Sequence, residues 1–209
     1  MIHAVDETDL LAFAETLSET RFHTLWILGC SRQTGLLLRK ELKKLNAKLI
    51  TEWMLIQKDC VEEPERGLRF QDISTAPYDT EYLHAVQTFL KECFHYHPRI
   101  EVLAERMAER TTDEIYLLGS LEEKWVCQAH IQAWTPQYGH IGGVATLPEY
   151  RGCGYAASLT SHLCRYIWDT GRIPTLTVQA DNRPALALYE SLHFTKAGEI
   201  TILDSYEET

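Results

Sequence analysis

Residues 147–159 read "LPEYRGCGYAASL": a basic residue and two glycines directly ahead of a run of small and apolar side chains. The first N–H groups of a helix have no intrahelical partner, and the helix dipole places partial positive charge there. Gly152 and Gly154 permit the backbone conformations that aim successive N–H groups into one concavity, and Arg151 adds a formal charge beside it. Such a turn suits a phosphate. It is not a P-loop, since no GK[ST] follows, and not a dinucleotide fingerprint, since Ala157 replaces the third glycine. Two glycines alone also fit a plain strand-to-helix turn.

A second segment, "NRPALALYESLHF", starts at Asn182. Asn182, Ala185 and Tyr189 share one helix face by their spacing, as they also do in any amphipathic helix with a buried tyrosine. "HYH" (His95, Tyr96, His97) offers two imidazoles but lacks a third metal ligand nearby, so ordinary loop residues or contacts to a bound molecule are the readings it leaves. The six cysteines (Cys30, Cys60, Cys93, Cys127, Cys153, Cys164) are scattered with no CxxC pair. Reduced thiols in a cytoplasmic protein fit better than disulfides or a zinc site.

Helices and strands must hold these residues in place. Residues 1 to about 57 read as a short αβαβ unit: a helix with Leu10, Phe13, Ala14 and Leu17 on one face, the strand "FHTLWILG", a helix capped by Ser31 with Leu38, Leu42 and Leu45, and the strand "KLITEWMLI". "KDCVEEPERG" is the linker. From 68 the pattern predicts β-αα-βββ-α-β-α-β. It begins with "LRFQDI", then a helix capped by Asp79 with Leu83, Val86, Leu90 and Phe94 inward, and a second helix over Arg99 to Glu109. "IYLLG", "KWVCQAHIQAW" and "YGHIGGVATL" are strands, and a helix from Gly154 turns Ala156, Leu159, Leu163 and Ile167 inward before stopping near Gly171 and Pro174. "TLTVQ", a helix opened by Pro184, and "TKAGEITIL" complete an α+β sheet with helices on both sides.

Composition is that of a globular chain, with 209 residues, 45% hydrophobic and 24% charged. Net charge is −10, which argues against nucleic acid as a partner and mildly favours cationic ones. No apolar run reaches the ~20 residues of a membrane helix, and the acidic start "MIHAVDETDLL" lacks a signal peptide's basic and apolar regions.

Together, "RGCGYA" and the Asn182–Phe194 segment, about 25 residues apart and joined by helix then strand, resemble the GNAT superfamily of acyl-CoA-dependent N-acetyltransferases. "GGVATLPEYRG" resembles the subgroup of glycine N-acyltransferase-like proteins. The resemblance covers roughly residues 68–205. Residues 1–60 lie outside it, and their αβαβ pattern would suit a degenerate partial copy packed on the main domain. His193, where the family often has glycine, and Cys153, where a basic residue is frequent, depart from the pattern.

The resemblance implies a mixed, mostly antiparallel central sheet flanked by helices over 68–209, and acetyl-CoA as co-substrate with no metal. It implies that the strand ending Val144, Ala145 and Thr146 splays from its neighbour, leaving backbone groups for the pantetheine amides. Arg151, Gly152, Cys153, Gly154, Tyr155 and Ala156 would take the pyrophosphate, and Asn182 would lie beside the pantetheine arm. Tyr189 matches the position of the family's proton donor to the leaving thiolate. His140 is comparable to the acidic base that some members carry on the splayed strand, and alternation places it on the face of Gly142, Val144 and Thr146. The reaction implied is direct acetyl transfer to a primary amine. Transfer of a longer acyl chain to an amino acid, or a non-catalytic acyl-CoA-binding module, are the alternatives. The acceptor's identity and the oligomeric state are not legible here.

Overall fold

The structure is a computed structural model that describes residues 24–30, 36, 47–61, 66–76, 78–109 and 114–206. In chain order its elements are β1 (Thr24–Cys30), β2 (Ala47–Gln57), β3 (Arg69–Asp72), α1 (Thr80–Phe94), α2 (Ile100–Ala108), β4 (Tyr116–Leu121), β5 (Lys124–Trp134), β6 (Tyr138–Thr146), α3 (Tyr155–Asp169), β7 (Ile173–Gln179), α4 (Arg183–Ser191) and β8 (Phe194–Tyr206). A short 3-10 turn, Pro148–Tyr150, separates β6 from α3. The order from β3 onward follows the hydrophobic periodicity. The two helices expected before residue 46 lie outside the described residues, apart from Leu36.

The chain forms two compact units, one of residues 56–176 and 184–195, the other of 1–55, 177–183 and 196–209. In the first, strands lie in the order β7-β6-β5-β4-β3. β3–β4, β4–β5 and β5–β6 are antiparallel, and β6–β7 is parallel, so the sheet is mixed but mostly antiparallel. α1 begins where Asp79 accepts hydrogen bonds from the Glu81 and Tyr82 N–H groups at 2.9 and 3.2 Å, a cap worth about 1 kcal/mol. Its buried stripe is Leu83, Ala85, Val86 and Phe89. Phe94, expected inward, is 45% exposed, because it is the last helical residue before His95 turns left-handed at φ 54°. These helices share a core with Ile73, Leu103, Met107, Tyr116, Leu118 and Ala145. α3 contacts β5 and β6, with Leu159, Leu163 and Ile167 fully buried. Each such side chain contributes roughly 1.5–3 kcal/mol of burial.

In the second unit β1 runs antiparallel to β8, with Thr24 opposite Tyr206 and Cys30 opposite Thr201. The Ala180 N–H donates to the Thr51 carbonyl at 3.0 Å, and Lys196 Nζ lies 4.2 Å from the Trp53 ring centroid.

The start of the expected linker is tied down within the first unit. The Lys58 N–H donates to the His193 carbonyl at 3.2 Å, and Asp59 Oδ1 lies 2.9 Å from His193 Nδ1. His193 itself adopts φ 61° at the end of α4. That left-handed conformation, which costs a side chain about 1–2 kcal/mol, explains why glycine suits the position, and the exposed Asp59 contact offsets only part of it.

Candidate active site

The site begins as a break in β6. β6 and β7 pair from Tyr138↔Ile173 to Ile141↔Leu176 and no further. Opposite β5, the register passes from His130↔Gly142 to Gln128↔Ala145, so Ala129 faces two residues, Gly143 and Val144. This is a β-bulge, with Gly143 at φ 62°. A Cβ at Gly143 would drive into the His130 ring, so the bulge requires glycine on both counts. From Gly142 onward, β6 is paired with β5 alone among the described residues. One flank of the strand therefore presents unpaired backbone groups, the recognition element of an extended amide-bearing chain.

The bulge changes which side chains share a face. Expected alternation put His140, Gly142, Val144 and Thr146 together. The extra residue instead sets Ala145 with Gly142, on the face carrying Tyr116 and Leu118, and turns Val144 and Thr146 to the other. His140 remains on the closed stretch, between Ala133 and Thr175, with Nδ1 3.1 Å from Thr175 Oγ1. Burial lowers its pKa, so its ring is neutral at neutral pH. The open edge is also shorter than expected. The Thr146 carbonyl already accepts from Arg151 Nε at 3.1 Å and Cys93 Sγ at 3.5 Å, while Thr146 Oγ1 is buried without a partner among the described residues.

Beyond the 3-10 turn, Gly152 and Gly154 take φ 78° and 82°, left-handed values that favour glycine. The N–H groups of Gly152, Cys153, Gly154, Tyr155, Ala156 and Ala157 have no partner among the described residues, and the first bond back is from Ser158 N–H to the Gly154 carbonyl. Unsatisfied donors at a helix N-terminus, beside two left-handed glycines, make an anion nest. The cation placed there by sequence is Arg151, but its Nε is engaged with Thr146. Arg66, from the linker, lies over the turn: a Cβ on Gly154 would come within 2.5 Å of its Nε and 2.9 Å of its Cζ. Arg66 carried no sequence signal, because its neighbourhood to the nest is a property of the fold. Gly143 did carry one, since glycine inside a strand pattern marks a bulge.

Tyr189 lies in α4, buried, with its ring 5.8 Å from Phe194 at 64°. Burial, then the nearby Cys164 thiol, push its phenol up to about 12. Cys164 sits along α3, nine residues from Tyr155 or about 14 Å by helical rise, so α3 runs from the nest towards Tyr189. Asn182 is exposed in the turn before α4, where its N–H donates to the Gln179 carbonyl at 3.0 Å; it belongs to the other compact unit. His95 and His97 are exposed, and Tyr96 accepts from Arg106 Nη1 at 2.9 Å. Among the described residues, no group of three His, Cys, Asp or Glu side chains is placed to hold a metal ion. Among the described residues Cys60, Cys93, Cys127, Cys153 and Cys164 form no disulfide, and no described helix is long and apolar enough to cross a membrane.

Residues 118–202 match the family model described as FR47-like protein. No curated protein matches the sequence. Among solved structures, a GNAT-family protein from Novosphingobium aromaticivorans is similar with a TM-score of 0.67 at 17% identity, over 94% of this chain and 81% of its own. A GCN5-related N-acetyltransferase from Kribbella flavida gives 0.62 at 17%, over 96% and 76%. The ribosomal-protein-S18-alanine N-acetyltransferase of Escherichia coli gives 0.52 at 19%, over 66% and 92%. The chain has the GNAT fold, and the segment that carries its open strand edge, glycine turn and Tyr189 is the one matching the FR47-like family.

Proposed function

We propose that the protein transfers an acetyl group from acetyl-CoA directly to a primary amine of a small molecule or peptide. The observation that carries this reading is the pairing of two binding elements in consecutive chain: the unpaired edge of β6, suited to the pantetheine amides, and the donor-rich turn Gly152–Ala157, suited to the pyrophosphate. The cofactor-handling domain is assigned to residues 68–209, with 1–60 as a small accessory unit.

The chemistry joins an amine nitrogen to a thioester carbon and expels a thiolate, with no covalent enzyme intermediate. A phenol held at about 12 stays protonated throughout the physiological range. Tyr189 therefore serves the departing sulfur as a hydrogen-bond donor, since full transfer to a thiolate of pKa about 8.5 runs uphill. Cys153 lies exposed in the phosphate turn, apart from this step.

The test is thiol release from acetyl-CoA, butyryl-CoA and benzoyl-CoA with spermidine, lysine amide, glycine and an alanine-led peptide as acceptors. The proposal expects acetyl-CoA to be consumed with a cationic amine, in keeping with the net charge of −10. Preference for benzoyl-CoA and glycine would instead support the longer-acyl reading. Tight acetyl-CoA binding with no release would make the protein a binding module.

A further inference from the structure

We infer that His130 is the proton acceptor for the attacking amine. The assignment rests on the acyl-transfer reading above and names a residue outside the segments that suggested it.

Three observations meet at this ring. His130 lies opposite Gly142, the first residue of β6 beyond the β7 pairing, so it stands where the strand opens. Its ring is against the bulge itself, because a Cβ on Gly143 would overlap it. Its ring packs on a buried polar chain: the imidazole stacks on Tyr116 at 4.9 Å and 22°, the Tyr116 hydroxyl donates to Gln128 Oε1 at 2.9 Å, and Gln128 Nε2 donates to the Gly143 carbonyl at 3.3 Å. Tyr116 and Gln128 are 3% and 1% exposed, so this polar chain is held in the core. A buried amide bridging a tyrosine to the bulge carbonyl locks strand and ring together, which pre-organises a base beside the open edge.

His140 lacks these properties. It sits on the doubly paired stretch and is bonded to Thr175. It and Tyr116 are titratable groups on the same sheet face as His130.

In the step assigned, the amine lone pair forms the bond to the thioester carbon, and the nitrogen's proton passes to the His130 imidazole. The C–S bond breaks with its electron pair on sulfur, where Tyr189 donates a hydrogen bond. The imidazolium then returns its proton to solvent.

The experiment measures kcat/KM against pH for the wild type, His130→Gln and His140→Gln, using acetyl-CoA and whichever of spermidine, lysine amide and glycine turns over. His130→Gln should lose about 10²–10⁴-fold in kcat/KM and lose the acidic limb of the profile, with acetyl-CoA affinity unchanged. His140→Gln should keep both. Should His130→Gln fail to fold, carbethoxylation of the wild type followed by peptide mass mapping gives a second reading: inactivation should track modification of His130 and reverse with hydroxylamine. A folded His130→Gln within threefold of wild type, or inactivation that tracks His140, overturns the assignment. No thiol release by the wild type with any acceptor removes the acyl-transfer reading itself, and this role with it.

Discussion

The two halves of β6 differ in what they do with the same backbone. Tyr138–Ile141 is paired on both sides and buries Ile141 against the α3 side of the sheet. Gly142–Thr146 is paired on one side only, after one extra residue at Gly143. A half-strand with both edges satisfied is structural; a half-strand with one edge unpaired is a template for a ligand. The difference comes from one residue in the left-handed region, held by the Gln128 amide, and it separates a histidine on the closed half, His140, from a glycine-rich open one.

The largest effect should come from the chemistry of the open half. Tyr189→Phe keeps the ring and its contact with Phe194 but removes the donor, so kcat should fall about 10²–10³-fold with acetyl-CoA affinity unchanged. Steady-state kinetics beside calorimetric titration checks this; turnover within twofold of wild type removes Tyr189 from the mechanism.

Next is the bulge. Gly143→Val combines a left-handed backbone, costing about 1–2 kcal/mol, with overlap against His130. The melting midpoint should drop and acetyl-CoA binding should be lost with it. A variant as stable as wild type that still binds would show that the opening does not depend on the bulge.

The glycine turn gives a smaller, graded result. Gly154→Val should weaken acetyl-CoA by more than about tenfold, or about 1.4 kcal/mol, since the side chain meets Arg66 and adopts φ 82°. Arg66→Gln should weaken binding severalfold, with the loss fading as salt screens an exposed charge. Arg151→Gln should cost less binding, its guanidinium being engaged with Thr146. Equal losses from the two arginines would return Arg151 to the nest.

The smallest effect belongs to the closed half. Burial depresses the His140 pKa below the unfolded value of about 6.5, so the native state resists protonating it. Its contribution is fully present above about pH 6.5 and is lost as pH falls through the folded value. Thermal midpoints should decline below about pH 6.5 in the wild type, and His140→Gln should flatten part of that decline. An unchanged slope would place the acid sensitivity elsewhere.

These contrasts mark what the sequence carries and what it does not. Periodicity located every described element from β3 to β8, because burial stripes such as Leu159, Leu163 and Ile167 are local patterns. The left-handed glycines of the turn were equally local. Three features were not. The bulge lies in "IGGVAT", where simple alternation loses register: past Gly143 the face of His140 and Gly142 continues at Ala145, not at Val144 and Thr146. Arg66 meets Gly154 across 88 residues of chain, and Arg151 turns back to Thr146 instead. His130 owes its place to the pairing of β5 with both β4 and β6. Local conformations are written in neighbouring residues, while the partners of a charged side chain are chosen by the fold.

On the proposed reading, the open half of β6 and the glycine turn hold one acyl-CoA molecule while the closed half holds the sheet. Amide chemical shifts of the wild-type protein titrated with acetyl-CoA address it most directly. Saturable changes are expected at Gly142–Ala145 and at Gly152–Ala157, with Tyr138–Ile141 nearly unmoved. Saturable binding that shifts neither segment, or that shifts the closed half as much as the open one, would contradict it.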